Sequence, residues 1–312
     1  MTPSARALVK PMRILISGAS GFMGARLSAA LRRGGHTVGR LVRPGGELAP
    51  GDVPWDPMAA AIETATLEGT DAFVNLSGAS IGNGRWTSAR KAVLRSSRVG
   101  STRVLVDAIT RPSRKPKVFV CASATGYYGD RGEEILTEAS EPGTDFLALL
   151  ARDWEAEAVR AEHSGIRTVR LRFGMVLSGD GGALPRMLLP FRLGAGGRFG
   201  SGRQWMSWVV LEDAVEAARL AILSDAVAGP LNVVAPEPVR NSEFARILAR
   251  ALHRPAIFPA PAFALRLALG EMADPLLLSS QRVCPEKLLA AKFAFRFPDL
   301  RTALDRILNP NR

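Results

Sequence analysis

Arg13-Ile-Leu-Ile-Ser-Gly-Ala-Ser-Gly-Phe-Met-Gly24 is the stretch on which the fold of this 312-residue chain turns. Residues 13–17 are a short, largely apolar run that reads as a buried first strand. Glycines follow at 18, 21 and 24, and residues 22–33 continue with helical periodicity. In that context Gly18 permits a tight turn, Gly21 lets the backbone approach a pyrophosphate, and Gly24 allows close helix–strand packing. Free N–H groups and the dipole at the helix start favour phosphate oxygens. Strand, glycine turn and helix in this order predict a dinucleotide site. Gly18, Ser20, Gly21, Phe22, Met23 and Gly24 would cradle the phosphates.

Working outward, further strands are expected at 37–42, at a short run ending in Trp55-Asp56, and at 72–76, 117–122 and 168–173. Helices are expected at 88–109 and 146–163. This alternation predicts an α/β fold, a Rossmann-type doubly wound parallel sheet with right-handed crossovers. After Phe173 the rhythm breaks. Glycine-rich residues 179–182 and 194–202 read as loops around a short apolar helix at 184–193. A strand at 205–210 and a helix at 212–223 restore one unit, and proline-punctuated short helices follow from Ala235. The expected division is a dinucleotide-binding Rossmann domain over 12–178, with 205–234 returning to it. Residues 179–204 and 235–312 would form a small, mostly helical substrate lobe.

Composition narrows the chemistry. Two cysteines, Cys121 and Cys284, make neither a disulfide framework nor a four-ligand zinc site, so a reducing, cytoplasmic setting is expected. Three scattered histidines leave no metal-ligand pattern, and no metal is expected. No apolar run approaches a membrane span, and Met1–Arg6 lack the apolar core of a signal peptide. The formal net charge of +12 is concentrated. Residues 1–50 hold eight Lys/Arg and one acid, and 85–117 hold ten and one, leaving the remainder slightly acidic. Both segments flank the glycine motif, so the charge reads either as a solvated face or as a field for an anionic small molecule. No zinc finger, aromatic ribonucleoprotein motif or helix-turn-helix pattern points to nucleic acid.

The end of the second strand bears on cofactor choice. Sites for NAD usually place an acid there for the ribose 2′-hydroxyl, whereas an arginine suits a 2′-phosphate. Leu41-Val42-Arg43-Pro44 has no acid, and Arg40 and Arg43 both stand nearby. A guanidinium fork on phosphate oxygens would make the cofactor NADP.

The Gly-x-x-Gly-x-x-Gly spacing, with Val74-Asn-Leu-Ser-Gly78, Arg85-Trp86, Ser97-Arg98 and Ser123-Ala-Thr-Gly-Tyr-Tyr-Gly129, resembles a known family. Asp153-Trp-Glu-Ala-Glu157, Arg172-Phe-Gly-Met-Val-Leu177, Leu188-Leu-Pro-Phe-Arg192, Gly200-Ser-Gly202, Ser207-Trp-Val-Val-Leu-Glu-Asp213 and Asn232-Val-Val-Ala-Pro236 extend the likeness from Met12 onward. The chain is similar to the atypical extended short-chain dehydrogenase/reductases, in the epimerase family protein branch of the NAD-dependent epimerase/dehydratase superfamily. The resemblance implies cofactor contacts at Val42-Arg43, Leu76, Ser77, Gly78, Arg98, Ser123 and Met175. It implies a monomer or homodimer acting on a small molecule.

Ordinary members use a Tyr-x-x-x-Lys pair for proton transfer. This chain has two tyrosines, Tyr127 and Tyr128, and neither has a lysine four residues on. The helix that should carry the pair offers Leu149 and Asp153. Ser123, Tyr127 and Tyr128 are therefore the candidate catalytic residues, with Arg152, Asp153 and Glu155 on the next helix as possible helpers. The structural alternative has Tyr128 packing its loop and Asp153-Trp154 capping the core. Trp205 and Trp208 either wall a pocket, with Arg186, Arg192 or Gln204 toward a ligand, or fill the core. Three functions stay open: an NADP-dependent oxidoreductase, a non-catalytic NADPH-binding redox sensor, and a nucleotide-sugar epimerase.

Overall fold

Consecutive apolar residues make Arg13–Ser17 a strand (β1) buried on both faces, as a central parallel strand must be. Ile14 and Ile16 face one helical layer and Leu15 the other, because side chains alternate across a sheet. The computed structural model describes residues 10–309, so Met1–Arg6 and the last residues of the expected lobe lie outside the described residues. Seven strands join β1: β2 (Thr37–Val42), β3 (Val53–Asp56), β4 (Ala61–Ile62), β5 (Ala72–Asn75), β6 (Val118–Ala124), β7 (Arg167–Phe173) and β8 (Gly229–Val233). Their order is β8-β7-β6-β5-β1-β2-β3-β4. All neighbours pair parallel except β3 and β4.

The chain moves outward from β1 in one direction through β2 and β3, and in the other through β5 to β8. That reversal opens a crevice between the carboxyl ends of β1 and β5, where sheets of this kind bind ligands. Helix α1 (Phe22–Arg33) covers one face of the sheet. Helices α2 (Ser88–Arg95), α3 (Ser101–Ile109) and α4 (Phe146–His163) cover the opposite face. Beyond α5 (Leu184–Arg192), α6 (Leu211–Leu223) returns to lie beside α1. Helices α7 (Asn241–Ala251), α8 (Ala262–Leu269), α9 (Glu286–Ala290) and α10 (Leu300–Leu308) belong to the C-terminal region. Leu184, Leu188, Phe191, Trp208, Phe244, Leu248, Leu300 and Leu304 form a separate core there.

Two elements depart from expectation. The helix at 88–109 is interrupted by a π-helical turn, Ser96–Gly100. Ser97 Oγ donates to the Leu94 carbonyl (3.1 Å) and Ser101 Oγ to that of Ser97 (2.8 Å), so hydroxyls compete for helix acceptors there. The single strand at 205–210 is two. Trp205–Met206 pairs antiparallel with Val239–Arg240, and Trp208–Val210 pairs parallel with Met175–Leu177. Between them Ser207 Oγ donates to the Gln281 carbonyl (2.7 Å) and accepts from Val283 N–H (2.9 Å), which ties the break down. Among the described residues no helix is long and apolar enough to cross a membrane, and no His/Cys/Asp/Glu group is arranged to hold a metal.

Candidate functional site

Helix α1 starts at Gly21 with no side-chain cap, as α3 and α5 to α9 also do; what sets it apart is its place directly after the glycine turn at the carboxyl end of β1. Its first turn holds no acid either. The N–H groups at the start of α1 therefore point, uncapped, at the mouth of the β1/β5 crevice. The glycines make this possible. Gly18 lies at φ +71°, and a Cβ there would sit 2.8 Å from the Leu76 carbonyl; at Gly24 it would sit 2.2 Å from the Gly18 carbonyl. A side chain at Gly18 would push against the end of β5 and one at Gly24 would push α1 off the turn after β1, so the cradle fits a dinucleotide phosphate. Ser20 and Gly21 are exposed and Phe22 and Met23 half-buried around it.

Beneath the cradle runs a buried polar chain. Ser17 Oγ donates to Asn75 Oδ1 (2.6 Å), which also accepts Ser77 N–H (3.1 Å). Asn75 Nδ2 and Trp154 Nε1 both donate to Thr102 Oγ1, each at 2.8 Å. The network holds Leu76, Ser77 and Gly78 at the crevice edge. Asn75 and Thr102 are not among the expected site residues; a lone amide ending an otherwise apolar strand is the signal for Asn75, and Thr102 in α3 has none. Arg98, in the π-helical turn, is buried under Gly78, donates to the Ala79 carbonyl (3.0 Å) and stacks 5.4 Å from Trp154. Burial without a carboxylate pulls its guanidinium down to about 10.

At the far end, Val42, Arg43 and Pro44 line a cavity of about 460 Å³ with Trp55, Asp56, Ile62 and Glu63. Arg43 is exposed there. Arg40 is not available: its Nε donates to Asp52 Oδ2 at 2.9 Å, an internal ion pair in place of a ligand contact. Asp56 Oδ1 accepts two N–H groups of its own turn, from Met58 and Ala59.

Ser123 ends β6 with its Oγ donating to Glu155 Oε1 of α4 (2.7 Å). Arg172, at the end of β7, grips the same carboxylate through Nε and Nη2, each at 2.8 Å. Burial works against the Arg172 charge, but Glu155 outweighs it and raises the guanidinium above its usual range. Tyr128 leaves the list of proton donors that can reach a ligand. Its ring is fully buried, its hydroxyl accepts from Arg172 Nη1 (2.9 Å) and lies 2.7 Å from Asn232 Oδ1, and burial pushes its phenol up to about 12. Tyr127 stays half-buried, its ring 3.6 Å under the Arg172 guanidinium. Asp153 pairs with Arg95 (2.7 Å) and Arg152 (3.0 Å), while Leu149 is 37% exposed.

Met175 follows β7 and donates its N–H to the Ser207 carbonyl at 2.9 Å. The loop after it packs on α1: a Cβ at Gly181 would meet the Phe22 ring at 2.7 Å, and Asp180 pairs with Arg26 at 2.7 Å. The aromatic pocket is corrected in part. Trp208 is fully buried with Nε1 on the Glu237 carbonyl (3.0 Å), and Gln204 donates to the Phe199 and Leu277 carbonyls. Trp205 lies between the guanidiniums of Arg240 and Arg282, at 4.5 and 4.6 Å. Arg186 reaches the Gly82 carbonyl (2.9 Å), bracing the 79–86 loop that Arg85 ties to α8 through the Leu267 carbonyl (2.7 Å).

The profile of the NAD dependent epimerase/dehydratase family matches residues 14–234, and that of a domain of unknown function (DUF1731) matches 260–307. An epimerase family protein of Bacillus subtilis is 42% identical over 95% of this chain and 98% of its own length. One from Mycobacterium leprae is 41% identical over 93% and 94%. A crystal structure of a human epimerase family protein with NADPH superposes with a TM-score of 0.87 at 36% identity, covering 96% of this chain and 100% of that one. A nucleoside-diphosphate sugar epimerase of Corynebacterium glutamicum gives a TM-score of 0.79 at 35% identity; the chain covers 59% of its length. With a profile match over most of its length and relatives above 40% identity over more than nine-tenths of it, this chain belongs to the NAD-dependent epimerase/dehydratase family, among its epimerase family proteins.

Proposed function

We propose that the chain is an NADP(H)-dependent oxidoreductase acting on a small carbonyl or sugar-nucleotide-like substrate. The observation that carries this is the start of α1 directly after the glycine turn at the β1/β5 crevice, with exposed Arg43 at the end of β2 in a cavity that Asp56 and Glu63 also line. Gly18, Ser20, Gly21, Phe22, Met23 and Gly24 would take the diphosphate, and Val42 and Arg43 the 2′-phosphate end. Leu76, Ser77, Gly78, Arg98, Ser123 and Met175 would line the crevice toward the nicotinamide. The crystallised human relative holds NADPH, which supports the phosphorylated cofactor.

The bound dinucleotide would supply hydride exchange at its nicotinamide ring. The chain supplies the proton and the geometry. Ser123 Oγ is buried and donates its proton to Glu155, which Arg172 holds, so it would accept from and position a ligand hydroxyl and would not supply the proton. Tyr127 Oη is the phenol left for a ligand, because Tyr128 is committed to Arg172 and Asn232. With Leu149 and ion-paired Asp153 where a Tyr-Lys pair is expected, turnover on simple ketones should be slow, since a positioned acid contributes about 10²–10⁴-fold. That same substitution favours the second reading, an NADPH-binding protein that reports redox state without turnover.

Fluorescence titration tests the cofactor assignment. NADPH should bind more tightly than NADH, and Arg43→Ala should narrow the gap by about 1.5–3 kcal/mol, one charge-assisted contact. Equal affinities in the parent protein would overturn the assignment. Turnover separates the two readings. On an accepted carbonyl substrate, Tyr127→Phe should abolish NADPH oxidation with cofactor affinity intact, and an unaltered rate would remove Tyr127 from the mechanism.

A further inference from the structure

Along α7, residues 242, 246 and 250 and residues 245 and 249 repeat at helical spacing and fall on one face. Ser242, Ala245 and Ala249 are small, while Arg246 and Arg250 are long. With Arg198, Arg254 and Ala256 they line a groove of about 330 Å³. Its lining residues therefore include four arginines and no carboxylate. Outside the two basic stretches the chain is slightly acidic, so this concentration of cations is local.

The walls are held by backbone bonds. Ser242 N–H donates to the Gly202 carbonyl (3.0 Å) and Phe199 N–H to Asn241 Oδ1 (2.7 Å). Ala260 N–H takes the Arg198 carbonyl at 2.9 Å, and Gly200 N–H returns to the Ala260 carbonyl at 2.8 Å. Gly202 lies at φ +71°, where a Cβ would meet Ser242 Cβ and Arg198 Cδ at 2.9 Å, so glycine lets the Arg198 loop lie on the helix. Neighbouring groups neutralise the groove weakly. Glu243 stands 3.7 Å from Arg246 at an exposed position, and Arg254 Nε reaches only the Arg192 carbonyl, at 3.3 Å.

Four like charges around one groove repel one another, and a multiply charged anion entering it would offset that repulsion. Guanidinium forks match phosphate and carboxylate oxygens in pairs, and the small residues on the floor leave room for such groups. The groove shares no residue with the proposed dinucleotide site. We propose that it is a second ligand site, for a small molecule bearing two or more phosphate or carboxylate groups.

The test uses the full chain saturated with NADPH, so that the α1 cradle is already occupied. Calorimetry with inorganic pyrophosphate and with citrate, at matched ionic strength, should show saturable one-to-one binding. The stronger of the two identifies the oxyanion class. Arg198→Ala combined with Arg250→Ala should weaken binding at least about tenfold, the scale of a lost charge-assisted contact, and Arg43→Ala should not. Arg250→Glu should weaken it further than Arg250→Ala. Circular dichroism of every variant and NADPH affinity of the Arg198 and Arg250 variants, unchanged, show that the fold and the first site persist; both arginines are exposed. Absence of saturable binding by either anion, or binding undiminished in the double variant, would overturn the proposal.

Discussion

Tyr127 and Tyr128 carry the same phenol one residue apart, yet the turn after β6 sends one ring into the core and leaves the other half-buried under Arg172. The chain has two tyrosines, so Tyr127→Phe leaves Tyr128 as the lone phenol chromophore. Its folded value of about 12 exceeds the ordinary value of about 10. The sign follows: Tyr128 contributes stability that is complete below pH about 10 and lost as pH rises toward about 12. Alkaline titration of Tyr127→Phe at 295 nm should therefore show phenolate appearing near pH 12, together with loss of structure. A midpoint near 10 in a folded protein would contradict the burial. Tyr128→Phe strips a partner from Arg172 Nη1 and Asn232 and should cost about 1–3 kcal/mol in urea denaturation.

At the scale of elements, the join between β1, α1 and β5 combines legible and illegible parts. The glycine spacing announces the turn, because only residues without a Cβ tolerate a 2.2 Å or 2.8 Å approach to a carbonyl. Gly24→Ala should displace α1 from β1 and lower NADPH affinity more than it lowers thermal stability, which paired calorimetry and fluorescence titration would check. The polar chain beneath is not announced, since Ser17, Asn75, Thr102 and Trp154 lie on four elements. Thr102→Val removes the acceptor shared by Asn75 and Trp154. It should cost about 1–3 kcal/mol for each orphaned donor, and a loss below 0.5 kcal/mol would show that the network relaxes around the change.

Across the whole molecule, the segment after α9 is tied back to α6. Asp213 accepts the N–H groups of Arg296 (3.0 Å) and Phe297 (3.2 Å), and Leu300 and Leu304 of α10 fill the core built on α5, α7 and Trp208. Leu304→Ala leaves a cavity in that core and should cost about 2–5 kcal/mol. If the C-terminal region and the sheet form one cooperative unit, tryptophan fluorescence and far-ultraviolet dichroism of this variant will show coincident transitions; separated midpoints would show two units. The net charge of +12 raises a question at the same scale. Arg40, Arg103, Arg172 and Arg240 are all paired with carboxylates, which reduces the field available to a polyanion. Binding to random duplex DNA should accordingly be weak at physiological salt and vanish as salt rises, whereas sequence-selective shifts in a gel series would contradict this.

The sequence by itself determined the doubly wound sheet and the glycine turn, because local periodicity and glycine spacing are sufficient for them, and its motifs carried the likeness to the family. Strand alternation, the run 13–24 and the motifs through Asn232 are all read along the chain, with no contact between distant residues required. Only the tertiary structure decided which arginine stays free at the end of β2, since Arg40 meets Asp52 twelve residues on. It likewise decided which tyrosine is buried and bonded and which stays half-buried, through Arg172 and Asn232 from strands far along the chain. Break points such as Ser207 belong to the same class, because Gln281 and Val283 come back to hold it. Burial and partner choice are properties of residues brought together in space, and a pattern of spacing along one chain carries no record of them.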